Sequence, residues 1–191
     1  MRAHARGPEP FGSFAPPLGI TGLYTRGVLD PGFVADCPYA PEAILIDEIL
    51  EVDREASRVV ARMPTHPGLP LTEHQRVHPE RHPLHVAAGV MVHLTGMLGY
   101  AHAYYVLDLR QDDDWIGFGT NIQDARFGRL VSVGPPLVAE CRGTQVRRIR
   151  GTLYVKYAFR FEQEGVVVYE SRQGAVWRQV PMGRESEAPG A

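Results

Sequence analysis

The sequence predicts an α+β fold in which one antiparallel β-sheet wraps around a single long buried helix. Three observations carry that expectation. Residues 86–107 are apolar nearly all round, through Val90, Met91, Val92, Leu94, Met97, Leu98, Tyr100, Tyr104, Tyr105 and Val106, and a helix without a polar face is normally buried. Beyond Asp114 the chain reads as strand, most clearly where Leu153, Val155, Tyr157, Phe159 and Phe161 alternate with Tyr154, Lys156, Ala158, Arg160 and Glu162. Two β-rich runs precede the helix, so the order is two strands, one helix, four strands, for which a sheet curled on the helix is the economical packing.

Residues 1–40 form an arm rich in proline and glycine (Pro8, Pro10, Pro16, Pro17, Pro31 and Pro38), a density of breakers that predicts irregular backbone. Its apolar residues Phe11, Phe14, Leu18, Ile20, Leu23 and Tyr24 suit packing on the body. The domain proper spans residues 41–179. It opens with strands at 43–52 and 58–63, separated by the polar turn Asp53-Arg54-Glu55-Ala56. A loop at 64–85, broken by Pro67, Pro70, Pro79 and Pro83, leads to the helix. Gly89, Gly96 and Gly99 inside that helix cost stability and suit close approach of another backbone. Strands follow at 115–124, 137–148, 153–162 and 166–177, the last two joined by the Gln163-Glu164-Gly165 hairpin. Residues 180–191 read as a frayed tail.

Composition narrows the functional classes. With 191 residues, 44% hydrophobic and 22% charged, the chain is neither disordered nor fibrous in character. Twenty basic against twenty-two acidic side chains leave a formal charge of -2, without the basic footprint of a nucleic-acid binder. No apolar run approaches the ~18 residues that span a bilayer. No hydrophobic stretch follows Arg2 and Arg6, so no secretory signal is expected. Cys37 and Cys141 are isolated and match neither a disulfide framework nor a zinc spacing. A cytoplasmic protein with reduced thiols is the expectation.

Three segments resemble the hotdog-fold thioester enzymes, and among them the 3-hydroxyacyl-carrier-protein dehydratases. They are the strand Ile44-Leu45-Ile46-Asp47-Glu48-Ile49-Leu50-Glu51-Val52, the loop His78-Pro79-Glu80-Arg81-His82-Pro83 with Gly89-Val90-Met91 at the helix start, and Asp124-Ala125-Arg126-Phe127-Gly128-Arg129-Leu130-Val131 followed by Val133-Gly134. Departures accompany the likeness. Ala88-Gly89 replaces the family's Pro-Gly, Gly134-Pro135-Pro136 replaces its Pro-Gly-Asp turn, and the acid expected five positions after the glycine is Leu94, or His93 after a slip of one. The resemblance implies a homodimer or dimer of dimers, with a tunnel between subunits that takes an acyl thioester of coenzyme A or acyl carrier protein, as in fatty acid or polyketide metabolism.

Dehydration of a 3-hydroxyacyl thioester needs a base at the α-carbon, an acid for the leaving hydroxyl, and stabilisation of charge on the carbonyl oxygen. Unpaired amides at a helix start supply the last, which points to Ala88, Gly89 and Val90; tight packing is the other use for Gly89. Six of the eight histidines lie between His66 and His93. Imidazole suits a base because it ordinarily titrates near neutrality. His78 fits that role by resemblance, with His82 and His85 as alternatives because the loop length is uncertain. His93 is either the stand-in acid or a neutral core histidine, and Glu73 or Glu80 either supplies a carboxylate or is solvated. His85 belongs with the substrate contacts. His74, His78, His82 and His85 have the spacing of one helical face, but Pro79 and Pro83 break that helix, so no metal is expected. No cofactor is expected. Arg126 and Arg129 suit a phosphate-bearing carrier, or form a solvated strand edge. Thioester hydrolysis is the alternative reaction, and a non-catalytic acyl-thioester binder the third reading, favoured by Leu94.

Overall fold

A computed structural model describes residues 29–181. Helix α1 spans Pro31–Asp36, strand β1 Glu48–Asp53, β2 Arg58–Thr65, helix α2 Ala88–Tyr105, β3 Trp115–Phe127, β4 Gly134–Ile149, β5 Thr152–Gln163 and β6 Val166–Gln179. The six strands form one sheet in the order β1-β2-β4-β5-β6-β3, antiparallel at every pairing. One curled sheet around one long helix is the architecture that the periodicity predicts.

The alternation in β5 does what its pattern requires. Leu153, Val155, Tyr157, Phe159 and Phe161 enter the core with Val59, Ala61 and Met63 of β2, Leu137, Ala139 and Cys141 of β4, and Leu94, Met97, Leu98 and Ala101 of α2. Residues out of phase with them build ion pairs across neighbouring strands. Arg160 stands opposite both Glu140 and Glu170 in the register, pairs with Glu170 on β6 at 3.6 Å and bonds Glu162 on its own strand at 2.8 Å, while Arg172 of β6 holds Asp124 of β3 through Nε at 2.8 Å.

Several boundaries differ from the sequence expectation. The first strand begins at Glu48, because Pro41–Ala43 form a single 3₁₀ turn. The helix begins at Ala88, because the Val86 amide donates to the Val131 carbonyl at 2.9 Å and extends the chain there. Strand β4 begins at Gly134 and includes Pro135 and Pro136; pairing with β5 starts only at Leu137, so neither missing N–H breaks that ladder. Helix α1 lies in the arm expected to be irregular. Pro31 occupies its first turn, where a missing N–H costs nothing, and the Asp30 carboxylate caps it by accepting from Gly32 at 2.9 Å. This helix drives Phe33 against Tyr104 and Tyr105, both ring centroids 5.5 Å away. The apolar residues Phe11–Tyr24 of the arm and the tail beyond residue 181 lie outside the described residues.

The helix glycines do not meet another backbone among the described residues. A Cβ built on Gly96 or Gly99 would find nothing within 4 Å, and one on Gly89 would meet only the Leu71 side chain. The helix is also less buried all round than its composition predicts, since Ala88, Gly89, Val92 and Gly96 are exposed.

Candidate active site

The loop between β2 and α2 is fastened to the helix start by two side chains that sequence reading passes over. Thr72 is fully buried and its Oγ1 accepts from the Ala87 amide at 3.1 Å. Gln75 grips both backbone groups of His85, donating through Nε2 to the carbonyl at 2.8 Å and accepting from the amide at Oε1 at 3.4 Å. From the opposite side, buried Gln163 donates to the carbonyls of Ser132 (2.9 Å) and Pro135 (2.6 Å), which steadies the segment whose Val131 receives the Val86 amide. The first two close a loop over 10 to 15 residues and the third joins segments 28 to 31 apart, so no helical or strand period announces them.

What they steady is a cavity of about 460 Å³ at the amino end of α2, within the usual range for small-molecule sites. His85, Ala88, Met91, Phe127, Arg129 and Leu130 line it, with Val86, Val131 and Val168 among the apolar remainder. The helix has no side-chain cap at Ala87, and while the Val90 amide donates to the Ala87 carbonyl at 2.9 Å, the amides of Ala88 and Gly89 remain for an acceptor, with the positive end of the helix dipole behind them. His85 presents a defined tautomer. Its Nδ1 lies 2.8 Å from the Pro83 carbonyl, which can only accept, so Nδ1 carries a proton and Nε2 is the nitrogen left to meet a ligand. The His82 ring packs edge-on against His85, centroids 5.0 Å apart.

Of the residues singled out from sequence, the cavity therefore gathers His85, Ala88 and Arg129, with His82 beside them. The others are placed elsewhere. His78 builds a turn, its Nδ1 accepting from the amides of Glu80 (3.2 Å) and Arg81 (3.1 Å) while its backbone pairs with His82. His93 faces the arm, edge-on to Tyr39 at 5.2 Å and 3.4 Å from the Ala43 carbonyl. Glu73 is exposed beside His74, and Arg126 stands opposite Glu170 on β3. Gly89 and Val90 follow Ala88 on the first turn, Gly89 exposed and Val90 turned into the core. Leu94, at the family's acid position, is completely buried in the core, so no side chain there reaches a ligand. Among the described residues, no three His, Cys, Asp or Glu side chains converge as a metal site.

Two further features lie apart from this cavity. A groove of about 640 Å³ runs between Ile44–Asp47 and the loop around His66 and Leu69, and shares no residue with the helix start. Its buried Arg62 is already engaged by Asp47, through Nε at 3.0 Å, and by Glu48 at 2.9 Å. Near the other end of α2, His102 is sealed inside, Nε2 3.1 Å from the Ser57 carbonyl and 2.9 Å from its hydroxyl. The tyrosine hydroxyl of Tyr157 donates to Nδ1 over a long 3.5 Å. Burial drives the His102 pKa down to about 4, against a smaller opposing effect of the hydrogen bond to Ser57.

A sheet and helix in this arrangement are the hotdog fold. Solved structures share it: a thioesterase from Haemophilus influenzae matches with a TM-score of 0.52 at 18% identity, covering 86% of this chain and 96% of that one. A thioesterase from Pseudomonas aeruginosa matches with a TM-score of 0.50 at 17% identity, covering 73% of this chain and 85% of that one. No family model and no curated protein matches the sequence. Among the described residues, no helix is long and apolar enough to cross a membrane.

Proposed function

We propose that this protein hydrolyses an acyl thioester at the amino end of α2. One observation carries the reading: His85, with Nδ1 committed to the Pro83 carbonyl, lines the same apolar cavity as the uncapped helix start. In this reading the acyl chain lies among Met91, Phe127, Leu130 and Val131. The thioester carbonyl accepts from the first helix amides, which stabilise the oxyanion as it forms. Nε2 of His85 takes a proton from water as that water attacks the carbonyl carbon; the tetrahedral intermediate then expels the thiolate, which is protonated on release. Arg129, about half exposed and 3.6 Å from the exposed Glu164 carboxylate, suits a phosphate on the thiol carrier, whether coenzyme A or acyl carrier protein, in exchange for that surface pair.

The solved neighbours named as thioesterases favour hydrolysis over the dehydration that the sequence suggests. Dehydration also needs an acid for the leaving hydroxyl, and no carboxylate lines the cavity among the described residues. That same lack supports a second reading, an acyl-thioester binder without catalysis. The edge strand β3 pairs with β6 on one side only and exposes Phe118, Ile122 and Phe127, so a second copy laid along that edge would cover apolar surface, in keeping with a dimer.

Incubation with saturated acyl-CoA and with crotonyl-CoA tests the reading. Free thiol from the saturated substrate supports hydrolysis, and hydration of crotonyl-CoA without thiol release replaces it with dehydratase chemistry. Silence in both, with acyl-CoA still raising the melting temperature, leaves the binder.

A further inference from the structure

The candidate cavity divides by depth. Ala88, Phe127, Gly128, Arg129 and Leu130 are exposed and form its mouth, with half-buried His85 beside them. Val86 and Val131 at 3% exposure, Met91 at 2% and Val168 at 1% form its floor, which carries no polar side chain. Such a floor receives hydrocarbon and disfavours a charged or hydroxylated chain end, which would lose its hydration there.

The valines of the floor are held in place. The Val86 amide donates to the Val131 carbonyl at 2.9 Å, and the Gly128 amide donates to the Val168 carbonyl at 2.8 Å. Glycine is required for the second contact, since a Cβ at residue 128 would lie 2.8 Å from the Val167 carbonyl oxygen. Valine side chains are also stiff at χ1. Met91 is the exception, with an unbranched and freely rotating side chain. On a helix such a chain leans over the turn before its own Cα, here toward Ala88 and the cavity that both residues line. The next residues on that face, Leu94 and Thr95, are buried and stand outside the cavity wall. On the helix side the inner limit of the cavity is therefore Met91.

We infer that Met91 is a specificity-determining residue: its side chain stops the far end of the acyl group, so the site takes unsubstituted acyl chains up to the length that reaches it. Each methylene laid against the apolar wall adds burial free energy, whereas one pushed against a packed Met91 must displace the core behind it. The inference rests on the acyl-thioester reading of this cavity.

Isothermal titration of the full chain with a graded series of S-(2-oxoalkyl)-CoA ketones tests it, because these keep a carbonyl and have no thioester bond to cleave. The expected affinity rises about four-fold per methylene up to a limiting length, then levels or falls. Met91→Ala should lengthen that limit by about three carbons, the reach it removes. Met91→Val keeps more of the core filled and should lengthen it by about two. Met97→Ala makes the same deletion in the buried core of α2 away from the cavity and should leave the limit where it was. Affinity that climbs without a break in the unaltered protein, a limit unmoved in both Met91 variants, or an equal shift in Met97→Ala overturns the assignment alone. Binding of no ketone at any length removes the acyl-thioester reading and the assignment with it.

Discussion

The two ends of α2 each hold an imidazole, and the contrast between them separates a histidine that lines a cavity from one that is walled in. At the amino end His85 is half-buried, its Nδ1 occupied by a carbonyl and its Nε2 free beside an apolar cavity and uncapped amides. Toward the carboxyl end His102 is sealed, with its nitrogens turned to Ser57 and Tyr157. Both are tied to backbone carbonyls. What differs is access: one ring is half-buried at the wall of a cavity, and the other spends both nitrogens on holding the β1–β2 turn and β5 to the helix.

The sharpest test of that contrast is a pair of variants. His85→Ala should lower thiol release from acyl-CoA by about 100-fold or more, the ordinary share of a general base, with little change in melting temperature. His102→Ala should do the reverse, costing about 2–4 kcal/mol through the cavity it leaves and the hydroxyl of Tyr157 it strands, as read from urea unfolding. Equal losses of activity in both would erase the distinction.

Acid should also find His102 first. Its folded pKa of about 4 lies below the ordinary 6.5, so between those values the unfolded chain binds the additional proton. Its contribution is therefore complete above about pH 6.5 and falls as pH drops toward 4, by about 3 kcal/mol in all. Urea midpoints at pH 7 and pH 5 measure it, and His102→Gln should flatten the part of the slope due to this residue.

Smaller effects are expected at the groups around each end. Gly143 admits the latch because a Cβ there would lie 2.7 Å from Ser57 Oγ and 2.9 Å from His102 Nε2; Gly143→Ala should destabilise by about 1–3 kcal/mol. Thr72→Val should cost about 1 kcal/mol by depriving the Ala87 amide of its acceptor, and should slow turnover by loosening the cavity wall. A Gly143→Ala protein of unchanged stability would mean that the turn yields, and that the carboxyl end is less tightly held than its geometry implies.

How much of this was legible beforehand depends on the range of the interaction. The period of two in β5 and the apolar run in α2 are local and one-dimensional, so both elements and their burial could be read directly. The missing acid was legible as well: Leu94 is a leucine in sequence and lies in the core in space. The loop histidines were harder to order. Resemblance pointed to His78, with His82 and His85 as alternatives because prolines leave loop geometry open; in the fold His78 accepts from its own turn and His85 lines the cavity. His102 escaped notice because one polar residue in an apolar helix carries no sign of its partners, which come from β1–β2 and β5.

The residue order by itself settled that a helix too apolar for water would be wrapped by strands with one wet and one dry face, since burial follows from side-chain polarity and period. Only the tertiary structure decided which histidine faces a cavity, which is walled in, and that Thr72, Gln75 and Gln163 brace the helix start. Those outcomes depend on hydrogen bonds that close over 10 to 55 residues, whose meeting is a property of the folded chain.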